Sequence, residues 1–460
     1  MTIKNQIKKW RKKGTALFLT AGLLFSAAVP ASALSTGPDE EHWPGAQLTA
    51  PKAQTFTPSY SKKGLQFGES IEDALSLGIN YCLFNINITE FMTPSNNLLE
   101  YIYNGNTYTF NMNAFTHWGS LFSQLQDADV NLSVEFLLPW VDGFTDLIHP
   151  AARTQGAHNY YAWNISTPEA RELYAALFSC IAEQFDGRHD MGYISNYLVG
   201  NEVNAYDEWF YTGSTSLEEN ANLYADTFQI VHSAVREASP DARISICLEH
   251  SWNTNIPGRV HGGKSFLDTF AQRLKKYDSP DFTISYHAYS EPLTDAAFWN
   301  NSEHRVKDSI DSPCITMKNI EQLTKYVKST YGSNTRIMLT EQGFSSHGAD
   351  GEMKQAAAIA YAYYKAEFND MIDCIIFRCQ ADSPQEISSH GLYMGLWTEG
   401  MGQMKASHEV FKYMDTPECD SYTAGCRQYL GINDWSQLVP DYETKYFDFK
   451  TTSTTGAGIF

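Results

Sequence analysis

Short apolar runs alternate along the chain with longer amphipathic ones. Seven runs read as buried strands: Tyr81 to Ile88, Val130 to Leu138, Tyr193 to Val199, Ala242 to Leu248, Phe282 to Tyr286, Arg336 to Leu339 and Ile372 to Phe377. A continuous apolar run of this length suits a strand covered on both faces. A weaker run near Leu65 makes an eighth. Helical periodicity fills most of the gaps: Ile71 to Gly78, Phe115 to Gln126, Thr167-Pro168 to about Phe185, Leu217 to Ala238, Phe266 to Leu274, Ile320 to Val327, Met353 to Phe368 and Glu409 to Met414. Pro168 sits where a first helical turn tolerates proline. Asn104-Gly105, between aromatic and β-branched residues, predicts a hairpin inserted after the second strand.

Repeated βα units imply a parallel sheet with helices outside it. A doubly wound sheet and a closed (β/α)8 TIM barrel both satisfy that periodicity. The number of repeats, and the lack of a Gly-rich phosphate or dinucleotide loop, favour the barrel. The pattern divides the chain into a barrel over 61–416, preceded by a Pro/Thr/Ser-rich linker over 34–60. A C-terminal extension over 417–460 shows no clear periodicity. Residues 1–33 read as a secretory signal peptide. Lys4, Lys8, Lys9, Arg11, Lys12 and Lys13 form its basic start, Thr15 to Val29 its apolar centre and Ala31-Ser32-Ala33 its cleavage site. The protein is therefore expected to be secreted and, after cleavage, free of the membrane.

Composition narrows the function classes. The chain has 460 residues, 43% hydrophobic and 14% aromatic, enough for a large core. Its 53 acidic against 33 basic residues give a formal net charge of -20, and losing the basic leader makes it more acidic. Nucleic-acid binders usually carry a basic face, so that class is disfavoured. Of the 8 cysteines, Cys82, Cys247 and Cys374 sit in strand-like runs and read as small core residues. Cys419 and Cys426 lie close together in a polar segment and form the best disulfide candidate. No CxxC or His-x-His pattern indicates a metal site, no Gly-x-Ser-x-Gly marks a serine hydrolase, and no cofactor is expected.

In a barrel, the C-terminal ends of strands carry the chemistry. Glu202 follows the fourth strand and Glu341 ends the seventh. Two carboxyl groups facing one site are what glycoside hydrolysis needs, one to protonate the leaving oxygen and one to attack or to activate water. The expected substrate is a carbohydrate. A non-enzymatic carbohydrate-binding barrel is the main alternative.

These residues resemble a known pattern. Gly200-Asn201-Glu202 at strand four and Thr340-Glu341 at strand seven look like the signature of clan A glycoside hydrolases. The resemblance implies Glu202 as acid/base, Glu341 as nucleophile and Asn201 as a partner of the sugar 2-hydroxyl. His287 and Tyr289, in Tyr286-His287-Ala288-Tyr289, resemble the clan's position that orients the nucleophile, and Trp397 its sugar platform. Ser61-Lys62-Lys63-Gly64, Asn85-Ile86-Asn87, Val199 to Glu202, Thr340 to Phe344 and Phe411-Lys412-Tyr413 are more closely similar to a bacterial family of barrel proteins, domain-of-unknown-function family 5722. That similarity covers about residues 61–416. The early arginine that some clan members place near the nucleophile has no counterpart here; Arg378, ending strand eight, is the substitute.

Further candidates come from strand ends. Asn85 and Asn87 alternate and share a face, at the barrel mouth or in a strand-end turn. Trp140 and Asp142 follow strand three. Glu249-His250-Ser251-Trp252-Asn253 follows strand five and is rich in sugar-binding residue types. Trp140 and Trp252 suit stacking on sugar rings or packing of loops. Gln380 and Asp382 join Arg378 as pocket-closing residues. Glu135, inside an apolar strand, reads as half of a structural ion pair.

Overall fold

The computed structural model describes Ser59 and residues 61–278 and 280–443. The predicted leader, the linker apart from Ser59, and residues 444–460 of the extension lie outside the described residues. Eight parallel strands close into a barrel: β1 Lys63–Gln66, β2 Tyr81–Asn87, β5 Asn131–Leu137, β6 Ile194–Val199, β7 Arg243–Glu249, β8 Thr283–His287, β9 Ile337–Gln342 and β10 Ile372–Arg378. Two further strands, β3 Leu98–Tyr103 and β4 Asn106–Asn111, pair only with each other as an antiparallel hairpin. Asn104 and Gly105 at its turn both have positive φ, 49° and 82°, as a two-residue turn between twisted strands requires.

The weak first strand is real and short. β1 pairs with β10 on one side and β2 on the other, closing the barrel. Its signal was faint because it carries a lysine. Lys63 is 1% exposed, and its Nζ lies 2.5 Å from Asp415 Oδ1. It also donates to the carbonyls of Phe411 and Lys412. A buried cation with these partners occupies a core position that an apolar pattern would miss.

Helices α1 Ile71–Ser76, α2 Met112–Asp127, α3 Pro168–Gln184, α4 Leu217–Ala238, α5 Gly263–Leu274, α6 Ile320–Tyr331 and α7 Gly351–Glu367 alternate with the strands. Several start where the sequence offers a cap: Ser70, Thr167 and Ser216 each accept a backbone N–H from the first turn of the helix they precede. After β10 come α8 Pro384–His390 and α9 Ala406–Tyr413. Among the described residues no helix is long and apolar enough to cross a membrane.

The described part of the C-terminal extension differs from its sequence reading. It folds into α10 Cys419–Tyr422 and α11 Ala424–Leu430 and joins the main core. Trp435 is 1% exposed, packs tilted against Tyr364 with ring centroids 4.8 Å apart, and donates from Nε1 to Thr423 Oγ1. The expected bridge between Cys419 and Cys426 is absent: both are free thiols. Each is buried on its own short helix, where it packs as a small apolar residue.

Strand alternation decides what fills the barrel. Tyr81, Leu83, Leu198, Cys247, Met338, Cys374 and Ile376 form one apolar cluster from five of the strands. By period two, Asn85 and Asn87 follow Tyr81 and Leu83 onto the inner face. A polar lining interrupts the cluster: Ser245 donates to Asn196 Oδ1, and Asn196 donates to Ser133 Oγ.

Candidate active site

The site lies at the C-terminal ends of the barrel strands. Beyond β6 the chain turns sharply at Gly200, whose φ is +77°. A Cβ there would sit 3.1 Å from the Phe210 ring, so glycine suits both the turn and the close packing. Two residues on, Glu202 itself has φ of 39°. A non-glycine residue in that region stores about 1–3 kcal/mol of strain, and such strain clusters at functional sites.

Glu202 and Glu341 are both buried, at 1% and 2% exposure, and His287 stands between them. His287 Nδ1 lies 2.8 Å from Glu202 Oε1 and 3.9 Å from Glu341 Oε2. Its Nε2 faces Thr340 Oγ1 at 3.2 Å and the Cys247 sulfur at 3.4 Å. On the other side of Glu341, the Tyr289 hydroxyl donates to Oε1 over 2.6 Å and Arg378 Nη1 donates to the same oxygen over 2.8 Å. Each glutamate therefore has one anchored oxygen, and the Oε2 of each has no hydrogen-bond partner.

Electrostatics separate the groups. Burial raises the Glu202 carboxyl above its ordinary value, and the neighbouring His287 opposes the rise. Burial alone would lower the His287 imidazole, but Cys247, Glu202 and Glu341 outweigh it and hold it well above the usual histidine range. Glu202 and His287 thus compete for a shared proton at hydrogen-bond distance. Burial works against the charge on Arg378, yet Glu386 and Glu341 keep it firmly protonated.

Glu386 is the partner that sequence reasoning missed. Arg378 Nε and Nη2 both donate to Glu386 Oε1, at 2.8 and 2.5 Å, and Glu386 is fully buried. Its only sequence signal was local: Ser383 three residues earlier caps the helix by accepting from the Glu386 N–H.

The other candidates divide. Asn201 is buried next to Glu202, and its Oδ1 lies 3.6 Å from the Cys247 thiol. Asn85 lines a small cavity with Gln66, Phe67, Glu69 and Gln380, at the ends of β1, β2 and β10. The side-chain oxygens of Asn85 and Asn87 are buried without partners. Trp397 is half-buried and donates to Asp73 Oδ2, the oxygen that also accepts from Gln380. Asp382 pairs with Lys405 at 2.7 Å. Trp140 is half-buried, packs beside Tyr161 and donates to Asp142. His250 sits between Glu249 and Glu291, at 3.3 and 3.2 Å, one step from the glutamate pair.

Trp252 takes the packing role its sequence left open beside sugar stacking, and Asn253 and Glu135 differ from their sequence reading. Trp252 is fully buried between Tyr286 and Tyr326, so its ring faces no solvent. Asn253 is exposed and spends its amide on the Ile310 carbonyl. Glu135 forms no ion pair: both its oxygens lack partners inside the barrel. Trp252 packs against the helix layer through Tyr326, and strand alternation points Glu135 inward, where His287 and Cys247 rather than a lysine or arginine are its neighbours.

A closed eight-stranded parallel barrel, with glutamates at the ends of its fourth and seventh strands, is a TIM barrel with two carboxyl groups at the face where such barrels carry their chemistry. The chain belongs to the family of unknown function DUF5722, whose model matches residues 55–438. No curated protein sequence matches it. Solved structures share the fold at low identity. GH5_18 from Streptomyces cattleya, in complex with GlcNAc, is 12% identical, with 84% of this chain and 83% of that one covered and a TM-score of 0.51. A glucosidase from Croceicoccus marinus is 12% identical, over 78% and 68%, with a TM-score of 0.50. The exo-beta-1,4-mannosidase Op5Man5 from Opitutaceae bacterium strain TAV5 is 14% identical with a TM-score of 0.48; 83% of this chain is covered but only 63% of that one, less than two thirds of its length.

Proposed function

We propose that this protein is a retaining glycoside hydrolase acting on an oligo- or polysaccharide, and that it is exported. The observation that carries the reading is the state of the glutamate pair: each carboxyl is fixed through one oxygen and free at the other. Fixed carboxyls with free oxygens are poised for transfer and attack. The free oxygen of Glu341 attacks the anomeric carbon as Glu202 protonates the leaving oxygen, giving a glycosyl ester on Glu341. Glu202, now ionised, takes a proton from water, and that water cleaves the ester and regenerates both groups.

One imidazole nitrogen lies 2.8 Å from one carboxyl oxygen and 3.9 Å from the other, so the two acids are close. That suits the ~5–5.5 Å spacing of retaining enzymes better than the ~6.5–9.5 Å of inverting ones. Arg378 and Tyr289 hold Glu341 in position, and Asn201 is the residue we assign to the sugar 2-hydroxyl. Asn85, Asn87 and Trp397 are assigned to the sugar outside the reacting bond. Fold likeness to enzymes such as GH5_18, solved with GlcNAc, supports a carbohydrate substrate. The basic, apolar and small-residue order of residues 1–33 supports export.

The test is hydrolysis of aryl glycosides and of plant, fungal and bacterial polysaccharides by wild type, Glu202→Gln and Glu341→Gln. Loss of activity in both variants, with the anomeric configuration retained in wild-type product, is the expected result. Unchanged activity in either variant overturns the site. Polysaccharide binding without turnover by wild type establishes the carbohydrate-binding alternative.

A further inference from the structure

Glu135 has no part in the mechanism above, yet it is 0% exposed and neither of its oxygens has a hydrogen-bond partner. It belongs to β5, and alternation turns it into the barrel one layer below the mouth. One donor atom from each of Glu135, Cys247 and His287 lies within 4.8 Å of the other two. His287 thus has an acid on each side. Glu202 lies at Nδ1 and Cys247 at Nε2, and Glu135 lies within 4.8 Å of both Cys247 and His287.

We propose that Glu135 is a positioning residue that decides whether His287 or Glu202 carries the proton they share. The groups that feel its charge are His287, Cys247, Glu202 and Glu341, together with the phenols of Tyr160 and Tyr224. Among the described residues no lysine or arginine forms an ion pair with it. An unpaired carboxyl in such a place stays neutral by keeping its proton. Burial, with Glu341 and Glu202 nearby, pushes it up to about 8, and His287 and the Cys247 thiol act in the opposite sense.

The consequence follows from charge. While Glu135 is neutral, it adds nothing to the pull that Cys247, Glu202 and Glu341 already exert on the imidazolium, and the shared proton is more available to Glu202 as general acid. When Glu135 loses its own proton to solvent, its negative charge stabilises the imidazolium. The shared proton then stays on His287, and Glu202 is left as a carboxylate that has nothing to donate. The role in Glu202 chemistry rests on the glycosidase reading; the effect on His287 does not.

The experiment compares full-length wild type with Glu135→Gln, a neutral isostere. In 15N-histidine NMR, the His287 ring should lose its proton about one pH unit or more lower in Glu135→Gln, the shift expected when a nearby opposite charge is removed. An unchanged His287 titration overturns the proposal. So does one equivalent of tightly bound zinc in the wild-type protein, because Glu135 and Cys247 would then be ligands. Should the variant fail to fold, wild type alone is decisive. Its infrared spectrum should show a protonated carboxyl band that persists after Glu202→Gln and vanishes above about pH 8, and absence of that band sinks the idea. With a substrate in hand, the ratio of kcat at pH 8.5 to kcat at pH 6 should rise in Glu135→Gln. A shifted His287 titration without any hydrolytic activity would remove the glycosidase reading and leave the proton coupling standing.

Discussion

The Tyr289 hydroxyl donates to Glu341 Oε1 over 2.6 Å, and both residues are buried. The phenol fixes the carboxylate through Oε1 and leaves Oε2 buried without a hydrogen-bond partner. Tyr289→Phe keeps the ring and removes only the donor. A hydrogen bond to a charged group contributes about 1.5–3 kcal/mol, so kcat should fall roughly 10- to 150-fold with little change in KM. Steady-state kinetics decide it; a fall confined to KM would place Tyr289 in substrate binding instead.

The alkaline side of the pH profile should report Glu202. Its folded pKa is raised by burial, so the acid form persists above the ordinary value of 4.5 and activity falls as pH climbs through the raised value. His287 works against that rise. Removing it in His287→Gln should therefore move the alkaline limb of kcat upward, although the rate at the optimum drops. A limb that stays in place or moves down separates His287 from Glu202.

Trp252 distinguishes core from platform. It is fully buried, with ring centroids of Tyr286 and Tyr326 at 6.3 and 5.4 Å. Trp252→Ala should lower unfolding free energy by about 3–5 kcal/mol in urea while leaving KM for a soluble substrate near wild type. Trp397→Ala, by contrast, should raise KM. Equal effects of the two on KM would return Trp252 to the binding site.

Lys63 and Asp415 form a buried pair that ties β1 to the residues just after α9. Burial lowers the Lys63 ammonium's pKa, and Asp415 opposes this. Lys63→Met alone leaves Asp415 without its cation and should cost about 3–5 kcal/mol. Lys63→Met with Asp415→Leu should recover most of that loss, because no charge is then stranded. A double variant no better than the single would show that the lysine's bonds to the Phe411 and Lys412 carbonyls matter more.

Much of the fold was legible in the chain because burial on both faces leaves a continuous apolar run. The strands carrying Val199, Leu339 and Phe377 announced themselves in that way. Lys63 hid β1, because its charge is neutralised by Asp415 some 350 residues away. The C-terminal helices were hidden for a related reason. They are short, and Cys419, Cys426 and Trp435 are apolar contacts of the main core rather than of a periodic face.

The sequence by itself determined which residues end the barrel strands. Period-two alternation and the position of turns are local, so Glu202, His287, Glu341 and Arg378 could be named from the chain. It could not say how those ends meet. Only closure of the barrel brings His287 between the two glutamates, turns Arg378 toward both Glu341 and Glu386, sends Trp252 inward and leaves Glu135 unpaired. Those outcomes depend on strand register and loop packing across more than a hundred residues, and hydrophobic periodicity carries no record of distances that long.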